Sequence, residues 1–199
     1  LYSDAAGLSA ARETVERKIA LGLDQRMLSR EDAEHIEPAL RFYQSEIAGA
    51  VYTPGDALGD AAAYCRALTD HLVREYGMKT LFGHRVCGFA SANGKLRAIR
   101  FLDREDIAAD RAVLATGPGA SLLAREVPEA RAIRPVRGYS LTIPLSAASP
   151  RISLTDVNRK LAFAAIGDRF RVAGLADITA VGAGFDNQRF SALRTAASS

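Results

Sequence analysis

Asp110-Arg111-Ala112-Val113-Leu114-Ala115-Thr116-Gly117 decides how this chain is read. The Ala112–Ala115 run is apolar without alternation. That pattern predicts a strand covered on both faces, as central strands of a parallel sheet are. Thr116-Gly117 then ends the run in small residues, and a glycine there permits a sharp exit and close approach of a ligand to the backbone.

Upstream, Leu8, Ala11, Val15 and Ile19 recur at spacings of three and four behind Ser3-Asp4, which predicts an amphipathic helix running to about Gly22. Ser29-Arg30-Glu31-Asp32 has the form of a capping box with Asp in place of Glu, so a short helix follows and stops at Glu37-Pro38. A strand is expected from Ile47 to Tyr52, then a turn at Pro54-Gly55-Asp56. Ala61, Cys65, Leu68 and Leu72 outline a second long helix closed by Gly77, which feeds a strand over Lys79–Phe82. Asn93-Gly94 between Val86–Ala90 and Leu96–Phe101 is a hairpin signal inside a small meander that reaches Ile107.

Beyond Gly117, alternating runs at Tyr139–Ile143, Leu161–Ile166 and Phe170–Ala173, with Gly167-Asp168 as a turn, predict an antiparallel sheet. Asp186 is placed to cap a last helix. Composition sets wider limits. The 199 residues are 48% hydrophobic and 25% charged, enough to bury a core. The 26 basic and 23 acidic residues are interspersed, which gives no nucleic-acid footprint. Cys65 and Cys87 have no metal or redox spacing and read as packed thiols of a reducing compartment. His35, His71 and His84 have no ligand spacing, and no serine sits in a nucleophile elbow.

From about Ala11 to Gly184 the chain resembles the middle of bacterial D-amino-acid dehydrogenase small subunits, within the wider D-amino-acid oxidase, glycine oxidase and sarcosine oxidase superfamily. The resemblance is carried by Ile36-Glu37-Pro38-Ala39-Leu40, the loop from Gly49 to Asp60, Ala115-Thr116-Gly117, Gly138-Tyr139-Ser140-Leu141-Thr142-Ile143-Pro144 and Arg171-Val172-Ala173-Gly174-Leu175-Ala176-Asp177-Ile178. Ala-Thr-Gly after a strand is a superfamily-level sign, whereas Gly-Tyr-Ser-Leu-Thr-Ile-Pro is more specific. Pro118-Gly119 stand where the family tends to place an aromatic.

The resemblance implies a mixed α/β fold: part of a Rossmann-like FAD-binding domain joined to part of an antiparallel-sheet substrate domain. Residues 1–50 are then a helical portion of the substrate domain, 51–125 a portion of the FAD-binding domain, and 126–199 the substrate-domain sheet. The family's Gly-x-Gly-x-x-Gly turn, which seats a pyrophosphate on a helix N-terminus, is expected to precede this segment, and the arginine that clamps a substrate carboxylate to follow it. The chain thus reads as an internal fragment.

By resemblance, Val86, Ala115, Thr116 and Gly117 approach FAD, and Tyr139 and Arg137 stand on the substrate side. From the residues alone, Val86 is a meander residue, while Gly117 fits an ordinary strand-to-helix turn and a cofactor contact equally well. Tyr139 is a core aromatic, and Arg137 and Arg171 are solvated strand arginines. The implied activity is oxidative deamination of a D-amino acid, with hydride transfer from its α-carbon to FAD and hydrolysis of the imine to a 2-oxo acid and ammonia. The implied electron acceptor is a respiratory quinone, and the implied place is the cytoplasm, at the inner membrane. Two other readings stay open: a glycine or sarcosine oxidase-like enzyme, and a non-catalytic remnant of the fold.

Overall fold

A computed structural model describes residues 1–124, 128–180 and 182–198. In chain order the elements are α1 (Ala5–Ala20), β1 (Arg26–Leu28), α2 (Arg30–Ile36), a 3₁₀ segment (Pro38–Phe42), β2 (Ala50–Tyr52), α3 (Ala61–Tyr76), β3 (Val86–Ala92), β4 (Lys95–Phe101) and β5 (Ile107–Ala108). After them come α4 (Ala120–Leu123), α5 (Pro128–Ala132), β6 (Val136–Pro144), β7 (Leu154–Asp156), β8 (Leu161–Ile166), β9 (Arg169–Ile178) and α6 (Asn187–Ser198). Two compact units result. The first comprises Leu1–Ala61, Gly138–Ala176 and Phe185–Ser199, the second Ala62–Arg137 and Asp177–Gly184.

The first unit is built on a four-stranded sheet of order β6-β9-β8-β7. Antiparallel register sets Phe163 opposite both Leu154 and Val172, so alternate residues present one apolar face. Tyr139, Leu161, Phe163 and Val172 form that core with Leu193 of α6, and Asp186 opens the helix by accepting hydrogen bonds from the amides of Gln188 and Arg189. A neighbouring cluster of Ala33, Leu40, Ile47 and Ala50 shares Tyr43 and Leu154 with it. Asp4 caps α1 through Gly7 N–H at 2.6 Å, and Ser29 and Asp32 complete the capping box of α2.

The second unit carries the β3-β4-β5 meander. Asn93 and Gly94 both have positive φ, 54° and 71°, as a two-residue turn matched to strand twist requires. Around it the apolar burial is thin: no residue of α3 is buried, and Tyr64, Tyr76 and Phe82 are exposed.

Several local expectations are corrected. Residues 112–115 form no strand, and Val113 is 94% exposed. A doubly covered strand needs layers packed on both its faces, and Ala112, Val113 and Ala115 are all exposed. Lys79–Phe82 is likewise coil and turn rather than strand. The strand expected from Ile47 begins only at Ala50, where pairing with β1 starts. Cys65 and Cys87 are exposed thiols rather than packed ones, since α3 buries none of its residues and Cys87 lies on the open side of β3.

Candidate functional site

In the second unit the exposed segment Ala115-Thr116-Gly117 runs into a 3₁₀ turn, where the amide of Gly119 donates to the Thr116 carbonyl at 3.1 Å. Gly117 has φ +54°, and a Cβ built on it would meet nothing within 4 Å. Its backbone therefore faces open space in a conformation that side-chain-bearing residues seldom hold. The helical turn α4 that follows lies beside β3, whose first residue is Val86, half-buried and opposite Phe101. The second unit thus holds Val86 at the start of β3 and, on a separate segment, Ala115, Thr116 and Gly117, the last three of them exposed. Exposed small residues at such a turn leave the backbone open to close approach by a ligand.

The two substrate-side candidates are placed differently. Tyr139 is 4% exposed and packs edge-on against Phe185, with ring centroids 5.7 Å apart. Its ring belongs to the core. Arg137 donates from both terminal nitrogens to the backbone carbonyls of Ala183 and Gly184, so its guanidinium fixes that loop. Arg171 is exposed on β9.

Sequence reasoning missed a polar cavity of about 780 Å³ inside the first unit. Lys18, Tyr52, Thr53, Asp56, Arg151 and Thr155 are among its lining residues. Thr53 opens the turn anticipated at Pro54-Gly55-Asp56, and the amide of Asp56 donates back to the Thr53 carbonyl at 3.1 Å. Gln25, between α1 and β1, donates from its Nε2 to the Thr53 hydroxyl at 2.9 Å. The Pro-Gly-Asp turn was the legible signal, but Lys18 and Arg151, which line the same cavity, lie 35 and 98 positions from Thr53.

Two buried carboxylates frame this unit. Glu37, 2% exposed, accepts hydrogen bonds from the amides of Ala39, Arg151 and Ile152 at 3.0, 2.7 and 3.0 Å. Asp156, also 2% exposed, accepts from the Tyr43 hydroxyl at 2.5 Å and from the Arg159 amide at 2.8 Å. Burial, reinforced by the bond to Asp156, raises the ionisation of the Tyr43 hydroxyl above its usual range.

Over residues 1–199 the sequence matches the family described as FAD dependent oxidoreductase, DAO. The chain belongs to this FAD-dependent family. It is 34% identical to the D-amino acid dehydrogenase of Rhizobium rhizogenes, over 86% of this chain and 41% of that protein. It is also 36% identical to the D-amino acid dehydrogenase of Paramagnetospirillum magneticum, over 94% and 43% respectively. The chain therefore spans less than half the length of these relatives. Among solved structures, glycine oxidase from Bacillus cereus superposes with a TM-score of 0.83 at 16% identity, over 98% of this chain and 52% of that one. L-proline dehydrogenase from P. horikoshii gives a TM-score of 0.73 at 18% identity, over 98% and 54%. These likenesses establish the fold of a mixed helix and antiparallel-sheet FAD-dependent oxidoreductase.

Proposed function

We propose that the parent protein of this chain is an FAD-dependent dehydrogenase that converts D-amino acids to 2-oxo acids and ammonia. The observation that carries the reading is the likeness to D-amino acid dehydrogenases along 94% of the chain at 36% identity, which includes the Gly138–Pro144 segment.

In this reading Ala115, Thr116 and Gly117 offer backbone to FAD, and Val86 lines the same side from the start of β3. When bound, FAD supplies the two-electron acceptor. The chain's own part is to bind, orient and shield. Tyr139 and Arg137 serve the substrate side as framework: the buried ring stiffens β6 beneath the sheet surface, and the guanidinium pins the 183–184 backbone. Such positioning accelerates a transfer that needs the α-carbon held near its acceptor, and it requires no general base from these residues.

The reading extends, on family resemblance, to a respiratory quinone as electron acceptor at the cytoplasmic face of the inner membrane. Among the described residues no helix is long and apolar enough to cross a membrane. The experiment is anaerobic mixing of the FAD-loaded parent protein with D-alanine, L-alanine, glycine and sarcosine, followed by flavin absorbance. Bleaching by D-alanine in preference to the others is expected. Bleaching only by glycine or sarcosine would move the protein to the oxidase-like reading, and no bleaching at all would leave the remnant.

A further inference from the structure

The polar cavity of the first unit is lined by charges of both signs that form no ion pair with one another among the described residues. Lys18 and Arg151 bring cations to it and Asp56 an anion, and none of the three forms an ion pair among the described residues. They come from α1, from the segment before β7 and from the turn after β2, so the fold gathers them without pairing them. At about 780 Å³ the space falls within the ~300–1,000 Å³ typical of small-molecule sites.

Thr53 adds direction. Its hydroxyl oxygen already accepts from Gln25, so the hydroxyl proton is left to be donated elsewhere. A hydroxyl held as an acceptor on one side and lining a cavity on the other is a donor looking for an oxygen. In a cavity that Lys18 and Arg151 also line, an anion's oxygen is the suited acceptor, and Asp56, three residues along the same turn, suits a positive group.

We propose that Lys18, Thr53, Asp56 and Arg151 form a binding site for a small zwitterion, a free amino acid, complete within the first unit. The carboxylate is taken by the Thr53 hydroxyl with Lys18 and Arg151, and the ammonium by Asp56. Gln25 is a positioning residue that sets the Thr53 hydroxyl. The choice of amino acid as ligand rests on the proposed function, but the site does not depend on bound flavin.

The test uses the 199-residue chain without FAD, labelled with ¹⁵N and titrated with D-alanine, acetate or ethylamine while amide shifts are followed. Expected are saturable D-alanine shifts at Thr53, Asp56, Ser153 and Thr155, with acetate and ethylamine each binding at least tenfold more weakly. Thr53→Val should weaken D-alanine at least tenfold and Thr53→Ser should restore it. Gln25→Leu should weaken it as well, but add little to Thr53→Val in the double variant. If Thr53→Val proves unfolded, Arg151→Ala provides the same test, because the contact of residue 151 with Glu37 is made by its backbone.

No saturable shift, acetate binding as tightly as D-alanine, or a folded Thr53→Val variant with unchanged affinity would each overturn the site. Flavin reduction by D-alanine in the parent protein together with no binding here would sink the cavity and leave the activity standing. Saturable binding without flavin reduction would do the reverse.

Discussion

At Glu37 a carboxylate lies almost wholly out of water, and three backbone amides surround its two oxygens. Burying a charge is costly unless hydrogen bonds replace its hydration, and here each oxygen is satisfied by N–H donors. Removing the carboxylate would leave those amides unpaired at roughly 1–3 kcal/mol each. Glu37→Ala is therefore expected to lower the melting temperature by at least about 5 °C, at some 2–4 °C per kcal/mol for a chain of this size, as scanning calorimetry would show. Glu37→Gln should recover only part of the loss, since an amide nitrogen cannot accept from the donors on one side. The motif around Glu37 stood out in the sequence, but its partners at 151 and 152 did not. Contacts more than a hundred residues apart leave no local periodicity. Tyr43 supports a second prediction at this scale. Its hydroxyl ionises near 10 in the unfolded chain and higher when folded, because it is buried and bonded to Asp156. The folded state thus holds the proton longer, its contribution is complete below pH 10, and it is lost as pH rises towards the folded value. Tyr43→Phe should flatten the fall of stability above pH 10 in denaturant melts; an unchanged slope would refute it.

Elements governed by local chemistry were legible, and those that depend on distant partners were not. The caps at Asp4, Ser29-Asp32 and Asp186, and the Asn93-Gly94 turn, are decided by a few neighbouring atoms, so their sequences fix their geometry. The run at 112–115 differs. Its pattern describes a strand with cover on both faces, but no described strand pairs with it, and all of the segment except the half-buried Leu114 is exposed coil. The short strands β1 and β7, three residues each, carried too little pattern to be read. The hairpin gives a prediction of its own. Gly94 sits at φ +71°, where a Cβ costs about 1–2 kcal/mol. In Gly94→Ala the amides shared by β3 and β4 should exchange with solvent roughly 5–30-fold faster, the factor equivalent to that energy. Gly59→Ala, in open space without positive φ, should leave exchange unchanged. Equal effects at the two sites would show that turn geometry does not control the hairpin.

For the molecule as a whole, the two units differ in what they can do unaided. The first gathers a core, two satisfied buried carboxylates and a polar cavity. In the proposed reading the second would offer FAD an exposed turn and the edge of a meander, but the 199 residues contain no Gly-x-Gly-x-x-Gly, and the helical turn that follows Gly117 is four residues long. A pyrophosphate carries two negative charges and is held in dinucleotide folds by several amides at a helix N-terminus, aided by the helix dipole. Each charge-assisted hydrogen bond of that kind contributes roughly 1.5–3 kcal/mol, so going without several of them weakens affinity by orders of magnitude, at about 1.4 kcal/mol per factor of ten. Contacts from Val86 and the 115–117 backbone are too few to make up the difference. Titration of the 199-residue chain with FAD, read by flavin fluorescence, is therefore expected to show no saturation in the micromolar range, even where the same preparation binds D-alanine. Micromolar FAD binding would mean that the pyrophosphate is held by amides of the second unit itself. In that case the exposed turn at Gly117 would be the main cofactor site rather than one edge of it.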